Sequence, residues 1–534
     1  MTGTTRAEFD ARAADARVVP VIRTVFADAL TPVGLYRSLA EGRPGGFLLE
    51  SAEQGGIWSR YSFIGVRSFG VLTEHDGEAV WRASGLDAER AFGGAVPTDP
   101  LAALDALSAR WESPRDPAHP PLTGGLVGFM GWDAVRRIEH LPDAPPSDFP
   151  CPELAFAFVS ELVVMDHRQG TVDLVVSVLA DDARGDGARG DDALADDAPH
   201  ATGAAGADAL WDDAQRRLDA LEAALATPAA PEPRRIDLTT APEPRYRSTH
   251  DEYLAAVARS KQFIRDGDVF QVVVAQRFDH ALEATPLEVY RVLRALNPSP
   301  YMYVLTHESA DGEPYAIVGS SPEALVKVTD GRVHMHPIAG SRPRGETPEA
   351  DQQLADGLLA DEKEQAEHLM LVDLARNDLS KVCRAGSVEV TEFMQVERFS
   401  HIMHLVSSVE GDQRPDASHV DVFRATFPAG TLSGAPKPRA LEIIDELEPA
   451  RRGVYGGVVG YFSFSGDADL AIAIRTAFLQ NGTARVQAGA GLVADSVPES
   501  EYQETISKAA APLRAVAIAN ALRRTAPDAG GSSA

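Results

Sequence analysis

Cysteine is almost missing from this chain of 534 residues: Cys151 and Cys383 are the only two. Two thiols cannot build a disulfide framework or a cysteine-based zinc site. Basic charge is also in deficit, with 50 Lys and Arg against 79 Asp and Glu for a formal net charge of −29. So acidic a balance excludes a nucleic-acid partner, because phosphate binding needs a basic surface. Any anionic substrate must be held by local cations or a metal, against the field of the whole molecule. There is no apolar run long enough to span a bilayer. Residues 1–30 mix Arg and Asp with Ala and lack the apolar stretch of a secretory signal. The expectation is a large soluble protein of the cytoplasm with no membrane partner. No internal period repeats.

The organisation follows from shifts in composition. Residues 1–17 are polar and read as a frayed tail. From 18 to 180 the pattern is strand-rich, with a hairpin turn at His167-Arg168-Gln169-Gly170. Residues 181–213 collapse into Ala, Gly and Asp, with ten acidic and two basic side chains. Too little apolar surface remains there to offset the ordering entropy, so most of that stretch reads as a disordered insertion. Deleting Asp181 to Gly206 is therefore expected to leave activity unchanged. A short helix over 212–226 and a Pro-rich linker over 227–244 complete the 181–244 connection and mark a domain boundary. A second domain spans 245–525, and 526–534 is a tail.

Most of the chemistry gathers between Val454 and Lys508. Three apolar runs alternate with Ser465-Gly466-Asp467 and Asn481-Gly482, the signature of an antiparallel meander. Pivoting on Asn481-Gly482 sets Arg475 opposite residue 488; pivoting on Gly466 sets it near 457. Tyr455, Arg475 and the backbone of Gly489-Ala490-Gly491 then share one end of the sheet. Beyond Pro498 a helical run carries Glu501, Glu504 and Lys508 on one face. A second acidic helix, 361–379, carries Glu364 and Glu367 at the same spacing. Taken alone it is a solvated surface helix; beside the first it offers oxygen ligands that suit Mg²⁺ better than zinc.

Two look-alikes are set aside. Gly489-Ala-Gly-Leu-Val-Ala494 mimics a dinucleotide fingerprint, but it follows a hairpin strand and too little chain remains for a doubly wound half. Gly430 to Lys437 resembles a phosphate loop without the Gly-Lys-Ser/Thr ending. His401 and His404 lie in an apolar run where a histidine is more often a core residue than a catalyst. Glu323 sits at the end of an apolar strand; the plain alternative is a carboxylate at a helix N-terminus, and a sheltered carboxyl there is suited to act as a general acid.

These stretches, together with LLES at 48–51, GDVFQVVVAQRF at 267–278, NPSPYMY at 297–303, GSSPE at 319–323, PIAGSRPRG at 337–345, DEKEQAEHLMLVDLARND at 361–378, FPAGTLSGAPK at 427–437 and PESEYQET at 498–505, closely resemble the anthranilate synthase component I family of chorismate-utilising enzymes. The resemblance covers nearly the whole chain apart from the ends and the acidic insertion. It implies an α+β fold of two large antiparallel sheets packed as a sandwich with outer helices. It also implies conversion of chorismate and ammonia to anthranilate and pyruvate, the first committed step of tryptophan biosynthesis.

By the family pattern Glu367 and Glu504 bind Mg²⁺, with Glu364 and Glu501 around them. Arg475, Tyr455, Lys508 and the Gly489, Ala490 and Gly491 backbone hold the substrate carboxylates, and Gly340 and Ser341 line the ring. Glu323 is the implied acid for the departing hydroxyl, His404 the implied proton handler at pyruvate elimination, and Thr431 a positioning residue. Water-adding relatives have lysine where this chain has Gln271, and aminodeoxychorismate synthases have a nucleophilic lysine where it has Ala339, so both positions favour ammonia addition with pyruvate loss. Ser341 departs from the family's usual Thr but keeps the hydroxyl. Neither cysteine sits in a nucleophile elbow, so ammonia is expected from a separate glutamine amidotransferase subunit in a hetero-oligomer. Glu50 and Ser51, with Pro300, Tyr301 and Met302, resemble the family's tryptophan feedback site. The rival readings are an aminodeoxyisochorismate synthase that retains the enolpyruvyl group and a silent tryptophan-sensing subunit.

Overall fold

A computed structural model describes residues 3–52, 60–181, 206–227, 229–230, 232–398 and 402–524. Twenty-one of its strands hydrogen-bond into one continuous sheet. The alternation of side chains along each strand shows how that sheet is folded. In the strand Tyr301–Glu308, Tyr303 and Leu305 enter a core that takes no residue from any helix, whereas Met302 and Val304 pack with the helix Pro286–Leu296. In Leu154–Asp166 every residue is buried, Ala155, Ala157 and Val164 facing the helix-free core and Phe156 and Phe158 the opposite side. The helix-free core is the interior of a sandwich, and the helices cover its outer faces. The two expected antiparallel sheets are thus the two layers of one network.

The two halves of the chain share that network. Phe47–Glu50 pairs with Tyr301–Glu308, and Val458–Ser463 lies between Gly125–Met130 and Ala468–Ile472. Among the described residues no helix is long and apolar enough to cross a membrane.

The meander expected around Arg475 has four strands, because its middle run is broken. Ala468–Ile472 pairs with Val458–Ser463, and Thr476–Gln480 pairs with Thr483–Leu492 around Asn481-Gly482. Both turn residues have positive φ, 48° and 69°, as a two-residue hairpin requires. Ala477 opposite Val486 carries Arg475 level with Ala488, as the spacing predicts. The first hairpin differs: Val458 opposite Ile472 brings Arg475 level with Tyr455 rather than residue 457. At the break Arg475 adopts φ +52°, a left-handed conformation that lifts it out of the ladder.

Three other expectations change. Residues 3–17 are not a loose tail: Thr5 and Glu8 form a reciprocal capping box for the helix Arg6–Asp15, and Phe9 on that helix is fully buried. The helix expected over 212–226 begins earlier, at Ala207, because Leu210, Ala214, Leu218 and Leu221 make one continuous apolar stripe. Of the acidic insertion, residues 182–205 lie outside the described residues, but its first residue is built in. Asp181 is 1% exposed and takes a two-point contact from Arg90, at 2.7 and 3.2 Å. Asp181→Ala is therefore expected to cost about 3 kcal/mol in chemical denaturation, the low end for breaking a buried pair whose cation still reaches water. A deletion confined to 182–205 is expected to leave the unfolding midpoint where it was. Equal midpoints for Asp181→Ala and wild type would remove Asp181 from the fold's supports.

Candidate active site

The broken strand, two acidic helices and three loops enclose a cleft of about 1440 Å³. One wall is cationic. Arg475 is half-buried, and its guanidinium makes no hydrogen bond or ion pair among the described residues; burial pushes its pKa down, with Tyr455 and Glu504 acting the other way. Tyr455 hydrogen-bonds the backbone of Gly489, and burial raises its phenol far above the ordinary value. Lys508 Nζ reaches the Gly489 carbonyl at 3.0 Å and Glu504 Oε1 at 2.7 Å. The glycines are needed for room. A Cβ on Gly489 would stand 2.9 Å from the Tyr455 hydroxyl, and one on Gly491 would stand 2.8 Å from Gln271 Nε2. Ala490 differs from its neighbours: its side chain points into the core on the other face, so only its backbone is near the cleft.

Facing that wall are the carboxylates. Glu364 and Glu367 project from the helix Glu362–Ser380, whose first turn is capped by Asp361. Glu501 and Glu504 project from Pro498–Asn520. The pKa of Glu367 is raised, first by burial and then by the charges of Glu364 and Glu504, while the Gln271 amide donates to it at 3.2 Å. Glu501 is likewise raised by burial, with Glu504 adding to it. Gln271 Oε1 is buried and has no partner among the described residues. The set is oxygen-only, the donor chemistry of a hard cation. Among the described residues no three His, Cys, Asp or Glu side chains form a closed metal cluster.

The third group handles protons. Glu323 lies in the connection between strands Pro314–Ser321 and Ala324–Thr329, with no helix there. Burial pushes its pKa up to about 7, and the hydrogen bond that Thr431 donates at 3.1 Å offsets only part of this. His404 is lowered by burial. Its Nδ1 meets the Gly340 carbonyl at 2.9 Å and Ser341 Oγ at 3.2 Å. A carbonyl can only accept, so Nδ1 carries the hydrogen and Nε2 is left as the basic nitrogen. His401 lies outside the described residues.

The residues expected at a regulatory site flank the cleft rather than line it, apart from Pro300. Glu50 is buried opposite Met302 and accepts hydrogen bonds from Tyr290 and from Arg294 Nε, the latter at 2.6 Å. Ser51 Oγ is buried with no partner among the described residues. Tyr301 points away and hydrogen-bonds Asp469. Tyr290 and Arg294 escaped the sequence reading. Their signal was the Thr285-x-x-Glu288 capping box, which starts a helix with both residues on one face.

Comparison with known proteins shows the family. The sequence pattern of the chorismate binding enzymes matches residues 69–514. The chain belongs to the chorismate-binding enzymes. Within them it is 53% identical to anthranilate synthase component 1 of Arthrobacter globiformis, over 98% of this chain and 94% of that one. It is 48% identical to the protein of the same name from Mycolicibacterium smegmatis, over 97% of this chain and 94% of that one. The crystal structure of anthranilate synthase component I from Streptococcus pneumoniae superposes with a TM-score of 0.71 at 33% identity, covering 92% and 98% of the two chains. The menaquinone-specific isochorismate synthase of Escherichia coli shares the fold, with a TM-score of 0.64 at 18% identity. The chain has the expected α+β sandwich, and the candidate catalytic, metal and substrate residues other than Ala490 line one cleft.

Proposed function

We propose that this chain converts chorismate and ammonia to anthranilate and pyruvate. The observation that carries the reading is the guanidinium of Arg475, unpartnered among the described residues, in the same cleft as Glu323, a carboxyl whose pKa burial pushes up to about 7. A dianion supplies the missing partner, and its hydroxyl needs the proton. Arg475 is suited to grip one carboxylate as a fork, with Tyr455, Lys508 and the Gly489 to Gly491 backbone closing around it. Gly340 and Ser341 border the ring, and Thr431 holds Glu323 in place.

Protonated Glu323 gives its proton to the hydroxyl, which leaves as water while ammonia's nitrogen bonds to the ring and sheds its surplus proton to that water. His404, neutral at Nε2, then takes the ring proton as the ether bond to the enolpyruvyl group breaks, and the departing enolpyruvate takes up a proton at its methylene carbon to become pyruvate. The four glutamates fit Mg²⁺, Glu367 and Glu504 as ligands with Glu364 and Glu501 around them. Bound there, Mg²⁺ would clamp and electrostatically stabilise the ring carboxylate.

The relatives' name, component 1, fits a second component, which we assign for this chain as a glutaminase subunit delivering ammonia in a cytoplasmic hetero-oligomer. Tryptophan is assigned to the stretch beside the cleft formed by Glu50, Ser51, Pro300, Tyr301 and Met302. Coupling to the cleft is short: Asn297 donates to Ser320 Oγ at 2.9 Å, and Ser320 N–H donates to the Arg475 carbonyl at 3.2 Å.

The test is anthranilate fluorescence from the purified chain given chorismate, Mg²⁺ and ammonium at alkaline pH, with and without tryptophan. The expected signal needs Mg²⁺ and falls with tryptophan. Chorismate consumed without anthranilate would replace the proposal with a pyruvyl-retaining or isochorismate-type enzyme, and no consumption would leave a silent subunit.

A further inference from the structure

A bulge interrupts the pairing of the strand Ile338–Pro343 with Ile402–Asp412, between Ala339 and Ser341. Gly340 forms it with φ +62°, a conformation that favours glycine, and a Cβ there would stand 3.0 Å from Glu364 Oε2. The bulge turns the Gly340 carbonyl to His404 Nδ1 at 2.9 Å, and Ser341, the direct cross-strand partner of His404, adds its hydroxyl at 3.2 Å. The strand that seats His404 therefore lies against the helix that bears Glu364 and Glu367. Two residues beyond the bulge, Arg342 stands behind the cleft wall rather than in it. Its Nη2 donates to Asp361 Oδ2 at 2.8 Å, and its Nη1 donates to Glu364 Oε1 at 3.3 Å and to the Ser341 carbonyl at 2.8 Å. Asp361 uses its other oxygen to cap the helix, accepting from the N–H groups of Lys363 and Glu364 at 3.1 and 3.2 Å. One guanidinium thus grips the cap and the first glutamate of the helix while holding its own strand.

We propose that Arg342 is a positioning residue that latches the His404 strand to the glutamate helix and keeps the Glu364 carboxylate turned to itself, outside the inner shell of the metal. The inference rests on the reading of the four glutamates as an Mg²⁺ site and of His404 as base. Glu364 has its charge offset by a guanidinium, whereas Glu367, one turn on, accepts from the neutral Gln271 amide and keeps its charge for a cation. The side chains of Arg342, Asp361 and Glu364 are 30%, 32% and 22% exposed, so their ion pairs add little to stability. What they supply is a fixed distance between the two sides of the cleft.

The test compares wild type, Arg342→Gln and Arg342→Lys. Mn²⁺ binding without chorismate, read by electron paramagnetic resonance, is expected to tighten by roughly fivefold in Arg342→Gln, because a neighbouring cation is lost and the Glu364 carboxylate is released to the site. At saturating Mg²⁺ the same variant is expected to lose about tenfold in kcat/KM for chorismate, since His404 and Ser341 no longer keep their distance from the metal side. Arg342→Lys keeps the charge without the fork, so its Mn²⁺ affinity is expected near wild type and its kcat/KM between the other two. Unfolding midpoints should stay close to wild type in both variants. Amide hydrogen exchange is expected to speed up in Arg342→Gln over both 338–343 and 361–367.

A generally loosened fold would weaken metal binding and catalysis together. Mn²⁺ binding that is unchanged or weaker in Arg342→Gln, or kcat/KM that stays at the wild-type value, would overturn the proposal. Hydrogen exchange keeps its failure apart from that of the metal reading. If wild type takes up no Mn²⁺, the assignment of the glutamates falls, and faster exchange of both segments in Arg342→Gln still upholds the latch. Unchanged exchange in both segments overturns the latch whatever the metal does.

Discussion

Arg475→Gln is expected to lower kcat/KM for chorismate by about a thousandfold, or roughly 4 kcal/mol, the scale for losing a two-point, charge-assisted contact to a carboxylate in a sheltered site. Glutamine keeps most of the side-chain length but loses the charge and the fork. Arg475→Lys restores the charge alone and is expected to recover only part of the loss, because an ammonium is a point donor. Stability should move the other way. Without a ligand the half-buried guanidinium has no partner among the described residues, and burial already pushes its pKa down. Replacing it removes an uncompensated charge, so thermal unfolding of the unliganded variant is expected at a slightly higher temperature than wild type. Steady-state kinetics and a melt on the same sample check both signs. A loss under tenfold, or a lowered melting temperature, would mean that Arg475 supports the fold rather than the substrate.

That residue also shows where the sequence was informative. Asn481-Gly482 fixed its partner at Ala488, because a two-residue turn leaves the register no freedom. The i, i+3 spacing of each glutamate pair fixed their common faces, and Pro498 and Asp361 fixed the helix starts. The break at 473–475 was not legible. A positive φ on arginine is imposed by the strands on either side, which pair with different neighbours, and leaves no mark in composition. The first hairpin misled by two residues because Ser465-Gly466-Asp467 admits more than one pivot. Long-range ion pairs were invisible for a similar reason. Asp181 reads as one aspartate among many until the strand that precedes it delivers it to Arg90. Tyr290 and Arg294 read as an ordinary helix face until Phe47–Glu50 is paired with Tyr301–Glu308.

The largest effect on stability is expected at Arg452, which the sequence also hid. Its side chain is 1% exposed, and it binds Glu448 through Nε and Nη2 at 2.9 and 2.6 Å. The remaining donors go to the carbonyls of Leu432 and Val273, each at 2.8 Å, and the guanidinium lies 4.1 Å from the centre of the Trp132 ring. Leu432 follows Thr431, and the centre of the Tyr455 ring lies 5.5 Å from the guanidinium, so one cation ties the N-terminal half to two elements of the cleft. Arg452→Gln leaves Glu448 buried without its counter-charge and is expected to cost about 3–5 kcal/mol.

The pH dependence identifies the cause. In that variant the stranded carboxyl has a folded pKa above its unfolded one, so the folded state binds the proton more tightly. Stability is then regained as pH falls through the raised folded value and lost again as pH climbs back through it. The gap to wild type should narrow on acidification. Arg452→Gln/Glu448→Gln removes the stranded charge and is expected to be more stable than the single variant at pH 8, with a gap to wild type that no longer varies with pH. If the single variant's deficit is instead the same at every pH, the loss lies in the Leu432 and Val273 hydrogen bonds and the Trp132 stack, and Glu448 is dispensable as an anion.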